Sequence, residues 1–388
     1  MNNLPGNFPA LADWWIRPSQ VFCGDVLSAD KVIRISKGRV SQVADRKKLP
    51  EDALVVDVEG CVTPGFFDVQ INGGGGVLFN AEPNEKAIEK IASAHRLSGT
   101  TKFLPTIITD TPDVLDKAAK AVSQVFGKYG VAGLHIEGPH ISLARRGTHL
   151  AKFIRPLDEQ TVSCIRGLRS KDIPVLITLA PESATPAQVS ELVEIGTVVS
   201  IGHSDALCMA ANQLLEAGAT AFTHLFNAMS PMENRAPGVT GAAINSSAYC
   251  SFICDGVHVD DEMLKLAIRA RPAPDRMVLI SDAMPTVGGP DHFTLYGKTL
   301  DLLEDRIVNS EGSLAGAHTT MGQSLARVIA NLDTTLEEAL KMAVSNPARM
   351  LGIADVGTLI GCEYSELVQI LPTMECKPLS DALVPVSQ

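Results

Sequence analysis

No apolar run in this chain reaches the roughly 20 residues needed to cross a bilayer. The opening MNNLPGNFPALADWW lacks a basic stretch followed by an apolar one, so no secretory leader is expected. Eight cysteines are scattered without a CxxC pair, which leaves no obvious disulfide or zinc framework. Cys61, Cys250 and Cys254 fall in apolar, strand-like runs, where a thiol behaves as a small hydrophobe. The pattern fits a reduced, cytoplasmic protein. Basic residues are in deficit, 33 Lys+Arg against 44 Asp+Glu, for a net charge of −11. That balance speaks against nucleic-acid or anionic-membrane partners, though a local basic pocket for an anionic substrate stays compatible. The run NGGGG (72–76) lacks the GxGxxG spacing and is not followed at once by a helix. There is no Walker loop, no internal repeat, no low-complexity segment and no long linker.

What remains is a chain of 388 residues, 45% hydrophobic and 20% charged, an ordinary globular balance. Residues 1–60 read as β-rich: VFCGDVLS, KVIRISKGRVSQV and ALVVDVEGC are short runs divided by turn signals such as Lys37-Gly38. From Cys61 the texture changes. Short apolar strands are expected at 62–72, 101–109, 132–139, 174–180, 197–204, 219–228, 249–259 and 277–284. Amphipathic stretches of helical length lie between them, for example 85–99, 111–130 and 205–218. Strands apolar throughout and alternating with helices mean a parallel sheet covered on both faces. Eight such units predict an α/β fold, a (β/α)8 TIM barrel over 61–352. Helices are expected from 321 to 352. Segments 1–60 and 353–388 would join as a small β-sandwich domain, because barrel termini lie close together.

The chemistry sits at the strand ends. GLHIEGPH (133–140) places His135 and Glu137 on one face of a strand, with Glu137 at the tip. A carboxylate there is costly without a partner. His203 ends IGHS, His224 and Asn227 lie in THLFNA, Asp255 and His258 in CDGVH, and Asp282 in ISDAM. A barrel gathers these ends on one rim, where barrel active sites lie. One carboxylate and two imidazoles, Glu137, His203 and His224, make a three-ligand set with a position open for water. Asp282 is then free to act as a base. Taken singly, a strand histidine is more often a hydrogen-bonded core residue, and His135 reads as such support. His95 lies in a helical pattern and reads as structural, while His140, His292 and His318 fall in loops that the sequence does not decide.

TPGFFDVQINGGGG, GLHIEGPH, RRGTH (145–149), SIGHSDA, THLFNAM, DGVHV, LISDAM and SLAG (313–316) together resemble the N-acetylglucosamine-6-phosphate deacetylases of the amidohydrolase superfamily. The resemblance runs from about Val40 to about Leu367, and the first 18 residues match nothing in it. It implies hydrolysis of the acetamide of N-acetyl-D-glucosamine 6-phosphate to D-glucosamine 6-phosphate and acetate, in amino-sugar catabolism. It also implies an oxyanion donor at His149. Substrate contacts are implied at Thr148, His149, Asp255 and Leu314–Gly316, Ala315 included. The sugar phosphate would be held by Asn227, Ala228, Arg235 and His258. A homodimer is implied, with Arg235 reaching into the neighbouring subunit's site.

The superfamily often carries His-x-His on the first strand, where this chain has Gln70 and Asn72. Neutral amides are poor ligands beside imidazole. One divalent metal ion per subunit is therefore expected, zinc first, with iron or another divalent ion open. The alternatives are an amidohydrolase acting on N-acetylgalactosamine 6-phosphate or a cyclic amide, and a non-catalytic assembly module.

Overall fold

The computed structural model describes residues 13–353 and 357–382. Parts of the expected small β domain, at 1–12, 354–356 and 383–388, lie outside the described residues.

Eight strands form one parallel sheet: β1 (Phe66–Ile71), β2 (Thr100–Ile108), β3 (Leu134–Glu137), β4 (Val175–Leu179), β5 (Val198–Ile201), β6 (Ala221–Phe222), β7 (Tyr249–Ile253) and β8 (Met277–Ile280). Their order in the sheet is their order in the chain. The ring comes round on itself just past β8: Ile71 bridges Ala283 in parallel, and the Asn72 and Gly73 amides both donate to the Ala283 carbonyl at 3.0 Å. This is the (β/α)8 TIM barrel that the alternation predicts. Helices cover it with one face buried. The first, Glu85–Arg96, is capped by Asn84, whose side chain accepts from the Ala87 amide, and it buries Ala87, Ile88, Ile91 and His95.

All eight expected strands are present, but several stop earlier than their apolar character suggests. β6 keeps only two residues of the ten expected. The reason is local. His203, His224 and Asp282 have φ of 48°, 36° and 52°, in the left-handed region. A non-glycine residue there leaves the ladder at a cost of about 1 kcal/mol or more. The polar strand ends are thus turns that lift side chains out of the sheet.

The segments on either side of the barrel meet in one seven-stranded sheet. It runs Cys376–Pro378, Leu367–Ile370, Val55–Pro64, Trp14–Phe22, Lys31–Ser36, Arg39–Asp45, with Leu27–Ser28 added on Trp14–Phe22. Trp14 packs with Ile16, Ile33, Val62 and Leu367, while its neighbour Trp15 packs with Val32 and Ala44, as strand alternation requires. Between β8 and the closing helices lies a small antiparallel sheet, His292–Leu295, Lys298–Leu303 and Arg306–Ile307, beyond the elements expected from the sequence. Its strands alternate short exposed and buried positions, too few for a clear period.

The barrel interior is unusual beneath the rim. Each strand supplies a buried polar residue within it or just past its end: Asp68, Thr106, His135, Thr178, Ser200, Thr223, Ser251 and Ser281. Barrel interiors are usually filled by branched apolar side chains. Here His135 is wedged between Thr106 Oγ1 at 3.2 Å and Thr178 Oγ1 at 2.8 Å. The chain of hydroxyls continues through Thr223 at 2.7 Å to Ser200 at 2.6 Å. Burial pushes the His135 imidazole down to about 4, so it stays neutral and supports this floor.

Candidate active site

Glu137 ends β3, and two imidazole nitrogens converge on its carboxylate. His224 Nε2 lies 2.9 Å and His203 Nε2 3.3 Å from Glu137 Oε1, and the two nitrogens are 3.1 Å apart. The other ring nitrogen of each histidine faces a backbone carbonyl: His203 Nδ1 is 2.8 Å from the Arg145 oxygen, His224 Nδ1 3.2 Å from the Asn227 oxygen. A carbonyl only accepts, so both Nδ1 atoms carry the proton. The two Nε2 atoms and a carboxylate oxygen then point at one another. A positive charge there, a proton on an imidazole or a metal ion, joins them. Donors around a four-coordinate zinc at ordinary bond lengths sit about 3.3 Å apart, which fits these separations. All three residues are buried. His149 is close as well: Glu137, His149 and His203 offer donor atoms within 4.8 Å of one another, a group also able to hold a metal ion. We take the Glu137–His203–His224 trio as the tighter convergence, because His149 Nε2 is 3.9 Å from Glu137 Oε2.

The electrostatics follow from that contact. Burial is the largest single influence on Glu137 and acts upward, but the bonds and charges of His203 and His224 outweigh it, and its carboxyl is held well below the usual range. Burial likewise acts downward on His224, and the bond and charge of Glu137 overcome it, so that imidazole is raised.

Asp282 stands past β8 on the same rim. Burial, with the Glu137 charge adding to it, pushes its carboxyl up to about 6. The two β1 amides reach it: Asn72 Nδ2 donates to Asp282 Oδ1 at 2.6 Å, and Gln70 Nε2 donates at 3.0 Å both to Asp282 Oδ1 and to Glu137 Oε1. Gln70 therefore presents its NH2 group to two carboxylates. Imidazoles in these positions would offer lone pairs; the amides offer protons.

His149 lies within a ring-to-ring distance of 4.5 Å of His203, and its Nδ1 is 2.7 Å from Thr109 Oγ1. Burial first, then the neighbouring His203, pushes it down to about 3, so it is neutral. Around the trio opens a cavity of about 370 Å³. Thr148, His149, Asn227, Ala228, His258, Leu314 and Gly316 from the expected set all line it, as do Asp282 and the trio.

Three expected residues do not. Ala315 is fully buried against Leu78, Ile108 and Met284, because strand-like alternation turns Leu314 and Gly316 to the cavity and Ala315 away. Asp255 stands behind His258: its Oδ2 accepts from His258 Nδ1 at 2.7 Å, and its Oδ1 accepts from the Val257 and His258 amides. Arg235 is exposed. The Glu233 amide donates to the Ala236 carbonyl at 2.9 Å, closing a tight turn with Asn234 and Arg235 at its exposed tip. Conversely, Arg145 lines the cavity, with its Nε 2.7 Å from Asp205 Oδ1. Nothing in RRGTH distinguishes which of its two arginines faces inward. Ile108, Met284 and Ser313 also line it, apolar or small residues with no chemical signal in the sequence.

A (β/α)8 barrel that gathers a carboxylate and imidazoles at its C-terminal rim is a frame for metal-assisted hydrolysis. The chain belongs to the amidohydrolase family, whose model matches residues 61–360. Among its relatives, an N-acetylgalactosamine-6-phosphate deacetylase of Shewanella sp. (strain ANA-3) is 38% identical over 305 residues, 77% of this chain and 76% of that protein. An N-acetylglucosamine-6-phosphate deacetylase of Haemophilus influenzae is 32% identical over 338 residues, 85% and 87% of the two chains. The crystal structure of N-acetylglucosamine-6-phosphate deacetylase from Pasteurella multocida superposes with a TM-score of 0.87 at 30% identity, covering 94% of this chain and 97% of that one. Among the described residues, no helix is long and apolar enough to cross a membrane.

Proposed function

We propose that this chain hydrolyses the acetamide of N-acetyl-D-glucosamine 6-phosphate, releasing D-glucosamine 6-phosphate and acetate. One observation carries the reading: the Glu137 carboxylate and the Nε2 atoms of His203 and His224 face one point within reach of the Gln70–Asp282 pair. Its support is the family, whose relatives above are named for deacetylation of such sugar phosphates.

Glu137, His203 and His224 would hold one divalent ion, zinc first and iron or another as options, since the donor set suits several. When bound, that ion supplies Lewis acidity toward a water and the amide carbonyl. Asp282, raised to about 6, takes a proton from the attacking water and returns it to the departing amine. Gln70 and Asn72 hold that carboxylate in place. Neutral His149, with the Thr109 hydroxyl donating to its Nδ1, keeps its proton on Nε2 and donates to the developing oxyanion. Asn227, the Ala228 amide and His258 bind the phosphate, and Asp255 fixes the His258 ring. Thr148, Leu314 and Gly316 wall the sugar. Arg235, exposed on its own subunit, serves the site of a neighbour in a homodimer. The eight cysteines are unpaired, which supports a cytoplasmic location.

N-acetylgalactosamine 6-phosphate is the second reading, favoured by the 38% identity to the Shewanella relative. The test is acetate release from both sugar phosphates after metal reconstitution, with and without a chelator. Release from neither substrate by metal-loaded protein sinks both readings. Chelator-insensitive release removes the metal from them.

A further inference from the structure

Asp68 and Gln70 lie on β1, and Asn72 follows just past its end. Gln70 and Asn72 reach Asp282 with their side chains. Asp68 sits one layer deeper and is fully buried. None of the groups it bonds carries a charge. Its Oδ1 accepts from the Gln70 amide at 3.1 Å, and both its oxygens accept from the Ser281 amide, at 3.3 and 3.2 Å. Its Oδ2 also meets the Ser281 hydroxyl in a short contact. That hydroxyl in turn accepts from the Ala283 amide at 3.2 Å. The amides on both sides of Asp282 therefore end on one buried cluster.

Between them, Asp282 holds φ +52°. An L residue relaxes from that conformation unless its surroundings fix it. A carboxylate at full burial without a cationic partner is itself costly, and an apolar side chain is the usual occupant of such a place. Burial pushes Asp68 up to about 7. The cost is offset if the group controls the turn that aims the reacting carboxylate.

We infer that Asp68 is a positioning residue: through Ser281 it locks the left-handed turn that presents the Asp282 carboxylate to the site. The inference rests on the deacetylase reading, in which Asp282 moves the proton. A small displacement of a reacting group costs as much as 10²-fold in rate.

The test uses metal-loaded protein and the variants Asp68→Leu, Asp68→Asn, Ser281→Ala and the Asp68→Leu/Ser281→Ala double. Asp68→Leu and Ser281→Ala should each keep the wild-type metal content and a KM within about twofold, with kcat down roughly tenfold or more. Asp68→Asn keeps an acceptor for the Gln70 and Ser281 amides and should recover most of that loss. The double variant should be no worse than Asp68→Leu alone, because both act on one path. Normal kcat in Asp68→Leu, an Asn variant as impaired as Leu, or additive losses would each overturn the inference. Should Asp68→Leu fail to fold, Ser281→Ala decides: normal kcat with bound metal is fatal. If the wild-type protein releases no acetate, the functional reading has failed instead. The turn is then read from the Asp282 carboxyl carbon resonance, which Ser281→Ala must move.

Discussion

His203 Nε2 and His224 Nε2 lie 3.1 Å apart, each with its Nδ1 proton committed to a backbone carbonyl. Two Nε2 atoms without protons would repel in that pose, and Glu137 adds a further lone pair. A cation relieves it, either a proton on His224 or a metal ion. The two compete, so metal affinity should fall as pH is lowered. Elemental analysis should find one divalent ion per chain, and His203→Ala or His224→Ala should abolish it. Thermal melting should rise with added metal, by an amount equivalent to about 4 kcal/mol at a thousandfold excess over Kd. Two ions per chain at full occupancy would contradict the proton-donating role of Gln70 and Asn72.

Asp282→Asn removes the proton acceptor but keeps a side chain of the same shape beside Asn72 and Gln70. Metal content should stay at the wild-type level while kcat drops about 10²-fold or more. Turnover near wild type would take Asp282 out of the reaction.

The pH dependence has a definite sign. In the proposed reaction Asp282 acts as a base only when ionised, and its carboxyl is raised to about 6. The rate should therefore fall as pH drops through about 6. Gln70→Leu removes a donor that favours the charged form, so the fall should begin at higher pH. A limb that stays in place would show that Gln70 does not hold the base.

Asp68 makes a separate prediction for stability. Its carboxyl is raised from 3.8 to about 7, so between these values the folded state holds a proton that the unfolded state has lost. Stability should fall as pH rises through that window. Denaturant melts of Asp68→Asn should lack that component, and an unchanged slope would count against the burial of a titrating group there.

Arg235 and Asp282 should complement across subunits. Arg235→Ala should raise KM for the phosphorylated sugar far more than for its unphosphorylated counterpart. Mixing Arg235→Ala and Asp282→Asn chains should restore activity, since one site of a mixed dimer then has both residues. No recovery in a verified mixed dimer would confine each site to a single chain.

Much was legible from pattern. Near-continuous apolar strands alternating with helical stretches have one economical solution, a covered parallel barrel. Once the barrel is closed, strand ends share a rim, and Glu137, His203, His224 and Asp282 must meet. Boundaries were less legible. THLFNA carries strand-like residues, yet only Ala221–Phe222 stay in the sheet. The left-handed turns at His224 and Ala228 take the rest out of the ladder, and residue type alone does not announce such turns.

Periodicity and composition were enough to set the barrel, the absence of a dinucleotide loop, and which residue types stand at the rim. How those residues face came from the folded chain. It put Arg145 at the cavity and Arg235 on an exposed turn, though both are loop arginines. It set Asp255 behind His258 rather than beside it in the wall. It turned the Gln70 amide protons onto Glu137 and Asp282 together. Direction, tautomer and shared donors depend on contacts between strands distant in sequence, and those contacts exist only after the barrel has closed.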